Sequence, residues 1–133
     1  MPGTGAEDEV RALLSQLLEA QNAGDSERVR VLLSGRPGAV HIGTDGEEWW
    51  TSAQVADAVA AVGGADDIQA VADDVRVHVQ GDVAWAEGRG RFTTAAGGER
   101  PVRMTGVFVH EDGRWRIVQS HASIGVPNAE IFE

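Results

Sequence analysis

Apolar positions follow two different rhythms along this chain. Near the start, Val10, Leu13, Leu14, Leu17 and Leu18 recur at helical spacing and form one stripe. Thr4 and Glu7 have the spacing of a capping box, so the helix is expected to begin there and to stop at Gly24. Asp25 then caps a shorter helix that turns Val29, Leu32 and Leu33 inward, and SGRPG at 34–38 breaks it. AVHI is a short extended piece, GTDGEE a turn, and residues 51–62 a third helix with Val55, Val59 and Val62 on one side, ended by GGADD. From Val75 onward the rhythm becomes strict alternation. Val75, Val77 and Val79 face one way, and QGD at 80–82 turns the chain. Ala84, Ala86, Gly88, Gly90 and Phe92 then oppose Trp85, Glu87, Arg89 and Arg91. After a loop at AAGGERP, two further strands flank Asp112-Gly113, a strong two-residue hairpin signal.

That hairpin predicts a register. Glu111 faces Arg114, His110 faces Trp115 and Phe108 faces Ile117; continued regularly, Gly106 faces Gln119 and Met104 faces His121. A bulge in the last strand would exchange the faces beyond it. Both faces of the hairpin carry apolar residues, so one takes the helices while the other meets a second subunit or lines part of a cavity. The small residues Ala84, Ala86, Gly88 and Gly90 leave space for a helix or a ligand. Trp85 beside charged residues suits a dimer interface. Helices first and a meander of strands afterwards make an α+β pattern in one domain over residues 1–133.

Composition narrows the functions. At 133 residues the chain is long enough for one well-buried domain, and its apolar content of 42% is ordinary. No cysteine is present, which excludes disulfides and thiolate chemistry, and no lysine, which excludes a lysine Schiff base. A net charge of −10 repels phosphate backbones, so nucleic acid is not an expected partner. No apolar run suits a membrane span, and the acidic start lacks signal-peptide features. A cytoplasmic protein without membrane association is therefore expected.

The closing stretch EDGRWRIVQSHASIGVPN carries Trp115, Ile117, Val118, His121, Ser123, Gly125 and Pro127 at the spacing of a known motif. With the preceding helices and IGTDGEEWWTSAQV, it resembles the NTF2-like superfamily, in particular its SnoaL-like and ketosteroid-isomerase-like branch. The resemblance spans nearly the whole chain. It implies a cone-shaped α+β barrel, three N-terminal helices packed on a curved antiparallel sheet, with a small-molecule cavity between them and commonly a homodimer. Members include isomerases, polyketide cyclases, dehydratases and proteins without known chemistry, so the fold alone does not assign an activity. The isomerases use a tyrosine in their oxyanion hole. This chain has none, and their mechanism does not transfer.

Candidate residues follow. His41, oriented by Asp45, is a candidate general base; the alternative is a surface histidine at a strand end. His121, with Ser123, is a candidate acid/base or hydrogen-bond donor; the alternative is a structural histidine bonded to backbone or to an opposing subunit. Thr51 as N-cap and Gln54 at N3 make a capping box, which puts Trp50 and Val55 at the positions of a hydrophobic staple. Trp50 and Trp49 are also candidate ligand-binding walls, and Trp49 otherwise packs. Arg103 would meet an anionic ligand and Glu87 would act as a base, or both form salt bridges. His41, Asp45 and Glu47 do not have calcium-loop spacing, and no metal or cofactor site is assigned. Trp115 belongs to the core, His78 and His110 to the surface, and the acidic pairs Asp66-Asp67 and Asp73-Asp74 to solvent. Two functions are compatible with this pattern. One is a cofactor-free isomerase, cyclase or dehydratase acting on a small apolar or aromatic ligand. The other is a non-catalytic ligand-binding or dimerisation module.

Overall fold

The structure, a computed structural model, describes residues 4–62 and 68–132. Helix α1 (Thr4–Ala23) buries Val10, Leu13, Leu17 and Ala20, so the apolar stripe runs one turn further than its leucines suggest. Gly24, at φ 71°, ends it in the left-handed conformation glycine tolerates best. The Asp25 carboxylate accepts from the Arg28 N–H at 3.1 Å and starts α2 (Ser26–Leu32), whose Val29 and Leu32 are buried together with Leu33 beyond it. The stop assigned to GGADD, the acidic pair Asp66–Asp67 and the Thr4 side chain lie outside the described residues.

Among the described residues six strands make one sheet: β1 (Val40–Ile42), β2 (Trp49–Trp50), β3 (Gln69–Gln80), β4 (Val83–Thr93), β5 (Glu99–Glu111) and β6 (Arg114–Ser123). Helix α3 (Ser52–Val62) lies between β2 and β3, and a short α4 (Asn128–Ile131) follows the sheet. The order is β2-β1-β6-β5-β4-β3. The α+β architecture is the expected one, with two corrections. The sheet is mixed, because β1 runs parallel to β6, and it is an open sheet with β2 and β3 at its edges. The cause lies where the helices hand the chain to the sheet. The Ser34 N–H donates to the Ile117 carbonyl at 2.8 Å, and Leu33 bridges Ile117 in the parallel sense. The chain therefore sets off along β6 in the same direction. The turn expected at GTDGEE then returns Trp49–Trp50 antiparallel onto β1, a pairing the alternation pattern did not reveal.

The Asp112-Gly113 hairpin forms as expected, with positive φ at both residues (51° and 78°). Glu111, His110 and Phe108 pair with Arg114, Trp115 and Ile117. Beyond that point the register slips. Val107 pairs with Gln119, which leaves Val118 as an extra residue. The regular continuation is thus corrected: Gly106 faces Ser120, Met104 faces Ala122, and His121 faces Thr105. Ser120 and Ala122 turn to the inner face, and His121 becomes exposed on the outer one.

Phe108, Ile117, Val10 and Val29 are fully buried between helices and sheet, and Trp115 joins them at 8% exposure. Ala84 and Ala86 meet this core, as their small size predicts. Gly88 and Gly90 have another reason. They lie beside a second irregularity, at Ala72/Asp74, where β3 crowds β4. A Cβ on Gly90 would collide with the Val71 carbonyl, and one on Gly88 would come within 2.9 Å of Val75 Cγ2. At Gly90 the expected space is filled by the neighbouring strand itself. Gly90→Ala should therefore destabilise the protein by ~1–3 kcal/mol, the range typical of overpacking. Gly35→Ala, whose Cβ meets open space, should stay within about 0.5 kcal/mol. Urea unfolding midpoints of the two variants measure the difference.

Candidate functional site

Between α1, α3 and the inner sheet face lies a cavity of about 460 Å³. Its walls are mostly apolar, with Leu14 and Leu18 from α1, Val55 and Val59 from α3, and Phe92 and Met104 from the sheet. Trp50 lines the same cavity. The capping box behind it is made in both directions. The Thr51 N–H donates to Gln54 Oε1 at 2.9 Å, and the Gln54 N–H donates to Thr51 Oγ1 at 3.2 Å. Trp50 and Val55 thus occupy the staple positions and also help wall the cavity.

On the β1–β6 side the wall is polar. His41 is 6% exposed, and both ring nitrogens meet serines: Nδ1 lies 2.8 Å from Ser120 Oγ and Nε2 lies 2.9 Å from Ser52 Oγ. The Ser52 hydroxyl also donates to the Ser34 carbonyl at 2.6 Å. That last contact decides the tautomer. A carbonyl only accepts, so the one hydroxyl proton of Ser52 is committed to it. Ser52 Oγ must then accept from His41, which places the imidazole proton on Nε2. Nδ1 is left as a lone pair, and Ser120 donates to it. The result is a directed chain from Ser120 through His41 and Ser52 to a backbone carbonyl.

Burial holds the His41 imidazole below its ordinary value of 6.5, so it is neutral at neutral pH. Such a group can take a proton, and Ser120, which lines the cavity with His41, can pass one to it. Behind the chain, Ser34 is fully buried and its backbone and hydroxyl are both engaged. Its hydroxyl holds the Glu111 carboxyl below the usual range against the opposing effect of burial, and Arg36 and Arg116 add to this. Among the described residues no buried side-chain polar atom lacks a partner.

The sequence-derived candidates separate in space. His41 and Trp50 line the cavity. Asp45 does not orient His41: its carboxylate accepts from the Glu47 N–H at 2.8 Å inside the exposed turn. Trp49 is 71% exposed. His121 is exposed on the outer sheet face, and Arg103 donates to Ser123 Oγ at 3.2 Å, also among exposed groups. Glu87 bonds His78 Nε2 at 3.0 Å, and His78 stacks on Trp85 at 5.5 Å between centroids. His41 is buried in the sheet, where the alternative reading put it at the surface. The serines that orient it, Ser34, Ser52 and Ser120, went unrecognised. Ser34 stood in a loop-breaking stretch, Ser52 followed a capping residue, and Ser120 depended on the bulge. No local pattern links them. Among the described residues no group of three histidine or acidic side chains converges as a metal site, and no helix is long and apolar enough to cross a membrane.

The profile of the SnoaL-like domain matches residues 10–127. No curated protein matches the chain. Solved structures do. An NTF2-like protein of unknown function from Pseudomonas putida superposes with a TM-score of 0.83 at 17% identity, over 96% of this chain and 92% of that one. An NTF2-like superfamily protein from Salmonella enterica gives 0.80 at 20% identity, over 94% of each chain. A candidate dehydratase of the NTF2-like family from Streptomyces avermitilis gives 0.77 at 23% identity, over 92% of this chain and 98% of that one.

Burial of neutral His41 sets a pH dependence of stability. Between its lowered native value and 6.5 the unfolded chain binds a proton that the folded chain refuses. Its contribution is therefore fully present above 6.5 and is lost as pH falls through that window. Free energies of unfolding should decline on acidification from neutrality, and His41→Gln should remove that slope. The depressed Glu111 carboxyl acts separately, with stability lost only as pH falls below its ordinary 4.5.

Proposed function

Because the chain belongs to the SnoaL-like domain family, we propose that it holds a small apolar or aromatic molecule in the cavity and acts on it by cofactor-free acid–base chemistry. The reaction class is an isomerisation, cyclisation or dehydration, and His41 is the group that takes the proton. The observation that carries this reading is a neutral, hydrogen-bond-oriented imidazole in the wall of an otherwise apolar cavity. A volume of about 460 Å³ falls within the range common for small-molecule sites. The Streptomyces avermitilis relative is a candidate dehydratase, which agrees with the reaction class. When substrate loses a proton toward Ser120 Oγ, the serine passes its own proton to His41 Nδ1, and the charge that forms is on imidazolium. The Ser52 oxygen then faces the developing positive charge, which keeps the ring in place.

A second copy of the chain is the partner proposed for the outer sheet face. Trp85 and Val83, each 43% exposed, lie there on neighbouring positions of β4, with His78 stacked on the indole. Aromatic residues of this kind are favoured at interfaces.

Screening neutral bicyclic and tricyclic compounds against the melting temperature tests the cavity. A ligand at one hundred times its Kd should add about 2.7 kcal/mol of native stability. Ala122→Phe, which directs a ring into the cavity from β6, should abolish the shift. No shift from any compound would remove the small-molecule reading. Trp85→Arg should lower the sedimentation mass to that of one chain, and an unchanged mass would reject the second copy at this face.

A further inference from the structure

The direction of the hydrogen-bond chain says what the ligand must offer. Ser120 has one hydroxyl proton, and it is committed to His41 Nδ1. His41 has one N–H, and it is committed to Ser52. Within the serine–histidine chain no donor is left over, while Ser120 Oγ keeps an unused lone pair. Among the described residues no other hydrogen bond reaches that oxygen.

Among the described residues the lining's other side-chain donors without a recorded bond include the Trp50 indole N–H and the Thr105 hydroxyl, and neither bonds Ser120 Oγ. Asn22 spends its amide oxygen and one of its two N–H donors on Ala70, at 2.9 Å from the N–H and 3.0 Å to the carbonyl. Glu48 accepts from the Asp45 N–H at 2.9 Å, and Glu87 pairs with His78. Gln21 and Thr44 are exposed, at the rim. Among the described residues no arginine contributes to the lining, and the chain contains no lysine. A carboxylate in the cavity would lose water without gaining a countercharge, close to the acid of Glu48.

On the reading that this cavity is a ligand site, we infer that its ligand is a neutral alcohol whose hydroxyl donates to Ser120 Oγ. A ketone or an ether of the same skeleton brings only acceptors. To meet one, Ser120 would have to withdraw its proton from His41 Nδ1 and leave that buried nitrogen bare. The alcohol keeps every bond of the chain and adds one. It also places an O–H where Ser120 and His41 can take its proton, the first step of the chemistry proposed above.

The experiment uses one bicyclic skeleton with different polar groups: tetralin, 1-tetralol, 1-tetralone, 1-methoxytetralin and tetralin-1-carboxylate. Affinities are measured by equilibrium dialysis with the intact protein. The alcohol should bind about tenfold more tightly than the ketone or the ether, roughly the effect of one buried hydrogen bond, and the carboxylate should bind most weakly. In Ser120→Ala the alcohol and ketone should bind alike, with tetralin unchanged. Ser52→Ala offers a second variant that leaves Ser120 in place. It frees the His41 proton to move to Nδ1, which releases the Ser120 hydroxyl as a donor, so the alcohol preference should shrink toward parity. Equal or tighter binding of the ketone or carboxylate by the unaltered protein, with tetralin still bound, would overturn the inference and leave the cavity reading standing. A preference that survives both variants would overturn it as well. Failure of every compound, tetralin included, would remove the cavity reading and the inference with it.

Discussion

One extra residue in the last long strand organises this protein. Val118 has no partner on β5, and its insertion exchanges the faces of β6 beyond it. Before the bulge, Trp115 and Ile117 point into the core on alternate positions. After it, the inward positions are Ser120 and Ala122. Without the slip, Gln119 and His121 would face the cavity, and His41 would have no hydroxyl at its Nδ1. The bulge also lies beside the point where the helical half joins the sheet, since the Ile117 carbonyl receives the Ser34 N–H. One irregularity thus sets the polarity of the cavity wall and the direction in which β1 enters.

The polar chain that follows is tolerable only because it is complete. An unmade hydrogen bond at a buried site costs ~1–3 kcal/mol, whereas a made one gains little over water. Ser34, Ser52, His41 and Ser120 close onto one another and onto backbone, so each group has its partner. The same completeness imposes direction. A network that starts from a carbonyl acceptor has its protons assigned link by link, and the last link exposes an acceptor to the cavity. Apolar walls around it weaken solvent competition and keep the imidazole neutral.

Sequence patterns separated well where they were local and failed where they were not. The capping residues Asp25 and Thr51 and the Asp112-Gly113 turn each act through neighbours a few positions away, and each behaves as its spacing implies. The small residues of β4 were legible as a feature, but their cause was divided: Ala84 and Ala86 make room for the core, and Gly90 makes room for β3. His121 stood in the motif that carried the family resemblance, yet it faces away from the cavity. His41, a candidate base whose alternative was a surface histidine, lies inside it.

The chain's own pattern thus determined the α+β class, the order of its elements, the hairpin and the caps. These depend on periodicity and on contacts within a few residues, which a linear reading contains. The parallel seat of β1 on β6, the fate of each histidine and the proton order of the serine chain were decided only in three dimensions. Ser120 is 79 positions from His41, and Ser52 is 11. An alternating strand pattern has period two, so a single inserted residue reverses every assignment after it while barely altering the pattern itself.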